Sequence, residues 1–82
     1  MPTCTLDTLP DGTPAEVCRL EALTPEVGPD TLRRLAELGF LPGEPVWIER
    51  RGPGGREPLA VHVGSSLFAL RLAEARCVQV LR

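Results

Sequence analysis

Within LGFLPGEPVWIERRGPGGREP, from Leu38 to Pro58, a helix has to stop, the backbone has to turn, and two strands have to pair across a bend rich in glycine and proline. Gly39 follows a Leu-rich helical run and suits the left-handed residue that closes a helix. Pro42-Gly43 is the dipeptide of a tight turn ahead of a new strand. Val46 to Arg50 reads as a strand by alternation. Gly52-Pro53-Gly54-Gly55 does not prolong it, because glycine loses the most conformational freedom on ordering and proline has no amide hydrogen for a ladder. A second strand, Leu59 to Val63, follows directly.

The flanking sequence fits around this hairpin. Leu6 and Leu9 anchor a short extended or single-turn segment from Cys4 to Leu9, and Pro10-Asp11-Gly12 turns the chain. From Thr13 to Leu23, Ala15 and Val17 keep a period of two but Leu20 and Leu23 do not, which predicts a strand with a bulge near Cys18-Arg19. After the loop Thr24-Pro25-Glu26-Val27-Gly28-Pro29, a helix opens with Pro29 at its first position or Asp30 as its cap and runs to Leu38. Its apolar stripe is Leu32, Leu35 and Ala36, with Leu38 at the edge; Arg33, Arg34 and Glu37 point to water. Too short to persist alone, the helix needs the sheet, and Phe40 and Leu41 are assigned to that contact.

In the paired strands, Val46 and Ile48 oppose Trp47 and Glu49, while Leu59, Val61 and Val63 oppose Ala60 and His62. Gly64-Ser65 turns into Ser66 to Leu70, where Leu67 and Ala69 are assigned inward, although Phe68 and Leu70 leave the assignment ambiguous. Arg71 to Ala75 forms one helical turn, and Cys77 to Leu81 is a last strand with Val78 and Val80 inward. The expected fold is mainly β, a small barrel of about five strands with one short α-helix and a helical turn. It forms a single domain over residues 1–82.

Size and composition then exclude whole classes of function. A chain of 82 residues removes only ~60% of its unfolded surface from water, too little to enclose a large substrate. The aromatics are only Phe40, Trp47 and Phe68, so the core is small and aliphatic. All nine cations are arginine, which removes the phosphate-loop lysine and lysine Schiff-base chemistry. A net charge of -2 gives no overall pull toward nucleic acid or anionic lipid. Cys4, Cys18 and Cys77 are an odd set without a CxxC pair, which fits neither a disulfide framework nor a zinc ribbon and points to a reducing cytoplasm. The start, MPTCTLDTLPDG, lacks the basic and apolar regions of a signal peptide. No apolar run approaches the ~20 residues that cross a bilayer, so direct membrane insertion is not expected.

The combination RLAELGFLPGEPVWIERRGPGGREPLAVHV followed by SSLFALRLAEARCVQV resembles the FeoA family of ferrous iron transport proteins, from about Leu6 to Leu81. Its specific pieces are the turn at Leu38, Gly39, Pro42 and Gly43, the proline-flanked bend ending at Pro58, and Ala69, Leu70, Arg71, Glu74 and Ala75. One departure is the longer bend, in which Glu57 stands where an aspartate is common. The resemblance implies a cytosolic SH3-like barrel acting as accessory to FeoB, a membrane Fe(II) transporter with a GTP-binding domain. It does not imply a channel, a nucleotide binder or an enzyme.

Candidate site residues follow from exposure and chemistry. Trp47 is turned away from Val46 and Ile48; it is either a hot spot for a partner or a second small core under the helix. Arg50, Arg51 and Arg56 flank the bend as a positive rim, and with Arg33 and Arg34 of the helix they complete the candidate partner-binding set. The GTP-binding partner that the resemblance implies raises the idea of an arginine finger, and nothing in the spacing selects one arginine for it. Gly39, Pro42, Gly43 and Pro58 are backbone devices, and Arg71 with Glu74 is an i, i+3 pair that braces the last helical turn. His62, the only histidine, lies on the outer face near no predictable acid partner; it reads first as an ordinary surface or helix-covered histidine, and second as a weak contact for a divalent ion, Fe2+ or Zn2+, trapped between two molecules of a homodimer. No cofactor is required. Alternatives from other classes are an RNA-binding small barrel, disfavoured by the acidic balance, and a stand-alone regulatory domain like the C-terminal domain of iron-dependent repressors.

Overall fold

A computed structural model describes residues 3–25 and 27–82. Glu26, inside the expected loop from Thr24 to Pro29, and the first two residues of the chain lie outside the described residues. The strands are β1 (Cys4–Thr5), β2 (Ala15–Leu20), β3 (Pro45–Gly52), β4 (Arg56–Val63), β5 (Ser66–Leu70) and β6 (Val78–Leu81); the helices are α1 (Pro29–Leu38) and α2 (Leu72–Ala75). Short 3-10 turns occupy Leu6–Thr8 and Pro53–Gly55. All pairings are antiparallel, in the order β1-β6-β2-β3-β4-β5.

Six strands therefore replace the expected five or so, because Cys4–Thr5 pairs with Gln79 and Val80. Among the described residues β1 and β5 pair only with β6 and β4, so the sheet is not closed by hydrogen bonds between its edges.

The local causes are visible in the backbone. Leu6 and Leu9 are fully buried, and the turn after them is tied to β3 by Gly12 N–H donating to Ile48 O at 2.6 Å. In β2 the register slips between Val17 and Arg19, leaving Cys18 as the extra residue of a bulge. Pro29 stands at the start of α1, where its missing N–H costs nothing. The other end is a Schellman motif: Gly39 has φ 112°, its N–H returns to Ala36 O at 3.0 Å, and Phe40 N–H returns to Leu35 O at 3.1 Å. Phe40 and Leu35 are both fully buried and supply the apolar contact of that motif. Pro42 and Gly43 then make a turn closed by Glu44 N–H on Leu41 O at 3.1 Å, with φ 91° at Gly43.

Three sequence expectations need correction. Leu41 does not share the helix contact with Phe40; it is 47% exposed at the corner of that turn. The hairpin arms run longer than expected, to Gly52 and from Arg56, because two register shifts let the ladder continue through charged residues. In β5 the inner residues are Phe68 and Leu70, opposite Val61 and Leu59, and Leu67 and Ala69 face outward. The two-residue turn Gly64-Ser65, with φ 57° at Gly64, pairs Val63 with Ser66 and so fixes which face each following side chain takes.

The core joins these elements: Val17, Val46, Ile48, Leu59, Val61 and Leu70 from the sheet meet Leu35 and Phe40. Phe68 leans on Phe40 with ring centroids 6.3 Å apart. Removing a fully buried leucine from such a core costs about 2–5 kcal/mol.

Candidate protein-docking face

On the outer side of β3, β4 and β5 the register places Trp47 beside His62, and His62 beside Leu67. The Trp47 and His62 rings stack, with centroids 4.6 Å apart and planes 16° from parallel. Leu67, at the end of this cross-strand row, is 50% exposed. α1 packs on β2 and lies across a groove from β5 and α2, so Trp47 rests on His62 and not under the helix.

His62 has an acid partner, contrary to the sequence reading. Its Nε2 lies 2.8 Å from Glu49 Oε1. The hydrogen bond from His62 holds the Glu49 carboxyl below its usual value against a smaller desolvation effect, with the charges of His62 and Arg50 adding to the lowering. A bulge brings the pair together: Ile48 faces Val61 and Arg50 faces Ala60, so Glu49 is the extra residue of β3.

The same bulge reassigns the arginines. Arg50 stays on the outer side, 77% exposed and 3.7 Å from Glu49, and Arg56 is exposed at the other side of the bend. Arg51 does not belong to a free rim: shifted opposite Leu59, its side chain is only 19% exposed and is spent on the N-terminal segment. It donates to Asp11 Oδ1 at 2.9 Å, to Leu9 O at 2.6 Å and to Asp7 O at 3.2 Å. On α1, Arg33 lies 3.4 Å from Asp30, and Arg34 pairs with Glu74 of α2 instead of pointing free into water.

Glu74 also accepts the Arg71 backbone N–H at 2.8 Å, so the Arg71–Glu74 relation is a helix cap and not a side-chain ion pair. Glu57, the departure noted in the bend, accepts the Leu72 N–H at 2.8 Å. Two carboxylates thus satisfy donors at the start of the same short helix. Pro58 follows Glu57 through a cis peptide bond. Neither the Glu57 contact nor the Glu49–His62 pair has a signal in local spacing, since both depend on strand register.

Among the described residues no group of three or more His, Cys, Asp or Glu side chains converges as a metal site requires. His62 and Glu49 offer two ligands, too few to enclose a transition metal. Cys77 is buried and donates to Ala73 O at 3.3 Å; burial, and then the charge of Glu74, raise its pKa, so its thiol is a poor ligand. Cys4 and Cys18 are half-buried and free. Among the described residues no helix is long and apolar enough to cross a membrane.

The FeoA domain model matches residues 4–82. The chain belongs to the FeoA family. The FeoA of Stenotrophomonas maltophilia, an SH3 domain protein whose crystal structure was solved with zinc, is 46% identical over 93% of this chain and 87% of its own, with a TM-score of 0.80. The FeoA protein of Chlorobium tepidum is 30% identical over 94% of this chain and 68% of its own, with a TM-score of 0.79. A manganese-dependent transcriptional repressor is 20% identical over 99% of this chain and 37% of its own, with a TM-score of 0.81; this likeness is one of fold alone. No curated protein matches the chain significantly. The fold is thus the SH3-like one of the FeoA family, associated with ferrous iron transport.

Proposed function

We propose that this FeoA domain is a cytoplasmic, non-enzymatic accessory of ferrous iron uptake that docks on the cytosolic part of a FeoB-type transporter through the outer face of β3, β4 and β5. The observation that carries this reading is the row Trp47, His62 and Leu67, in which an aromatic anchor is pre-stacked on one neighbour and flanked by a half-exposed leucine. Arg50 and Arg56 stand beside this face as exposed cations that meet carboxylates on a partner. The Stenotrophomonas maltophilia relative is described as a candidate activating factor of ferrous iron transport, which supports the same role here.

Docking alters transport only if one state of the transporter is bound more tightly than another, since equal affinity shifts no equilibrium. Fe(II) is cargo of the partner. The zinc of the relative supports a weaker second reading, in which the Glu49–His62 pair contributes two ligands to a divalent ion and a second molecule supplies the remainder.

The test is the affinity of the purified chain for the transporter's cytosolic part in its nucleotide-free, GDP and GTP-analogue forms. Trp47→Ala is expected to weaken the tightest complex about 30-fold, the effect of losing a hot spot of ~2 kcal/mol. Absence of binding to every form, or equal binding to all of them, contradicts the proposal.

A further inference from the structure

A second surface lies away from Trp47, on the far side of β5. A groove of about 560 Å3 runs between Ala69 and Leu70 of β5 on one wall and Thr31 and Arg34 of α1 on the other, with Arg71 at its end. The β4 residues opposite Ala69 and Leu70 are Ala60 and Leu59, and neither lines it; Pro58 reaches it only where the pairing of β5 has ended. The groove therefore follows the unpaired edge of β5.

Within the strand itself, β5 lacks the bulge, charge and proline by which many edge strands avoid adding another strand, and α1 stands off across the groove. β5 pairs with β4 in five consecutive positions without a bulge, and SLFAL contains no charge and no proline. The opposite edge of the sheet, β1, has only 2 residues. The charge in the groove is also selective. Glu74 is spent on the Arg71 N–H and on Arg34. Of the three charged residues that line the groove, Arg34 and Glu74 balance each other. Among the described residues the Arg71 guanidinium has no ion-pair partner, the nearby Glu57 carboxylate being held on the Leu72 N–H; the lining thus carries one net positive charge, at its end.

We propose that β5 accepts an extended acidic segment of the transporter as an added strand, held between β5 and α1, with a carboxylate of that segment on Arg71. Backbone hydrogen bonds along β5 supply sequence-independent affinity, and the forked contact with Arg71 sets register and selects an acidic over a basic segment. The inference rests on the docking reading above and adds a second contact on the same partner. Two linked contacts on one molecule raise overall affinity without either being tight.

The test is hydrogen exchange of the full chain, alone and with the transporter's cytosolic part, beside affinities for wild type, Trp47→Ala, Arg71→Gln and Arg71→Glu. Amides of Leu67 to Leu70 that exchange freely in the chain alone are expected to slow at least tenfold in the complex. Arg71→Gln should weaken binding severalfold and Arg71→Glu more, each with an unchanged far-UV spectrum. Unaltered exchange in β5 within a complex that Trp47→Ala still weakens removes the added strand and leaves the docking face standing. Failure of wild type to bind removes both. Protection of β5 that rises with the concentration of the chain alone assigns the edge to a second copy and overturns the proposal.

Discussion

Arg51→Ala should unfold the domain at a distinctly lower temperature while Arg50→Ala, one position away, should not. The Arg51 side chain is 19% exposed and holds three acceptors of the N-terminal segment, Asp11 Oδ1 at 2.9 Å, Leu9 O at 2.6 Å and Asp7 O at 3.2 Å. The two carbonyl contacts are charge-assisted, and their loss leaves part-buried oxygens without a donor, costing ~1 kcal/mol or more each. The pair with Asp11 adds at most ~1 kcal/mol, because the Asp11 side chain is 46% exposed and water screens it. The sum is about 2–3 kcal/mol, which in a domain of this size lowers Tm by roughly 10–20 °C. Arg50 is 77% exposed and its removal should change stability by no more than ~0.5 kcal/mol. Thermal and urea unfolding followed by far-UV circular dichroism reads both variants on one scale. Equal stability of the two variants would refute the placement of Arg51 as the tie between β3 and the N-terminal segment.

Other outcomes test the remaining structural assignments. Leu70→Ala, at a side chain with 0% exposure, should cost about 2–5 kcal/mol, whereas Leu67→Ala, at 50% exposure, should cost under ~1 kcal/mol; urea unfolding of the two distinguishes the inner from the outer face of β5. Gly52→Ala should destabilise by about 1–3 kcal/mol in the same assay, because the added Cβ falls 2.3 Å from the Glu57 carbonyl oxygen. The Glu49 carboxyl should titrate below its ordinary value of 4.5 by NMR, and His62→Ala should move it back up. Its folded pKa is lowered, so its stabilising contribution is present above pH 4.5 and is lost as pH falls through the depressed value.

What could be read from the sequence was what local chemistry determines. Gly39, Pro42 and Gly43 demand particular backbone angles, and the period of two in Val46, Ile48, Leu59, Val61 and Val63 selects the buried face. The bulge at Cys18 also left a trace, because it breaks that period within a run of apolar residues. The bulge at Glu49 left none: it falls among charged residues, where no apolar pattern records the slip. One extra residue there sends Arg51 back to the N-terminal segment and sets Glu49 beside His62, so the rim keeps Arg50 and Arg56 but not Arg51, and the histidine has a partner that no spacing announces. β5 posed the same difficulty in another form. With Leu67, Phe68, Ala69 and Leu70 all apolar, only the two-residue turn at Gly64-Ser65 decides which pair faces the core. Glu57 and Glu74 cap α2 through contacts that form only once the sheet is assembled.

Trp47 is the sole tryptophan, so a fluorine label on its indole gives one resonance from the centre of the proposed docking face. Titration of the labelled chain with the cytosolic part of a FeoB-type transporter should shift or broaden that resonance in proportion to complex formed. A complex that forms while the resonance stays unchanged would contradict the account.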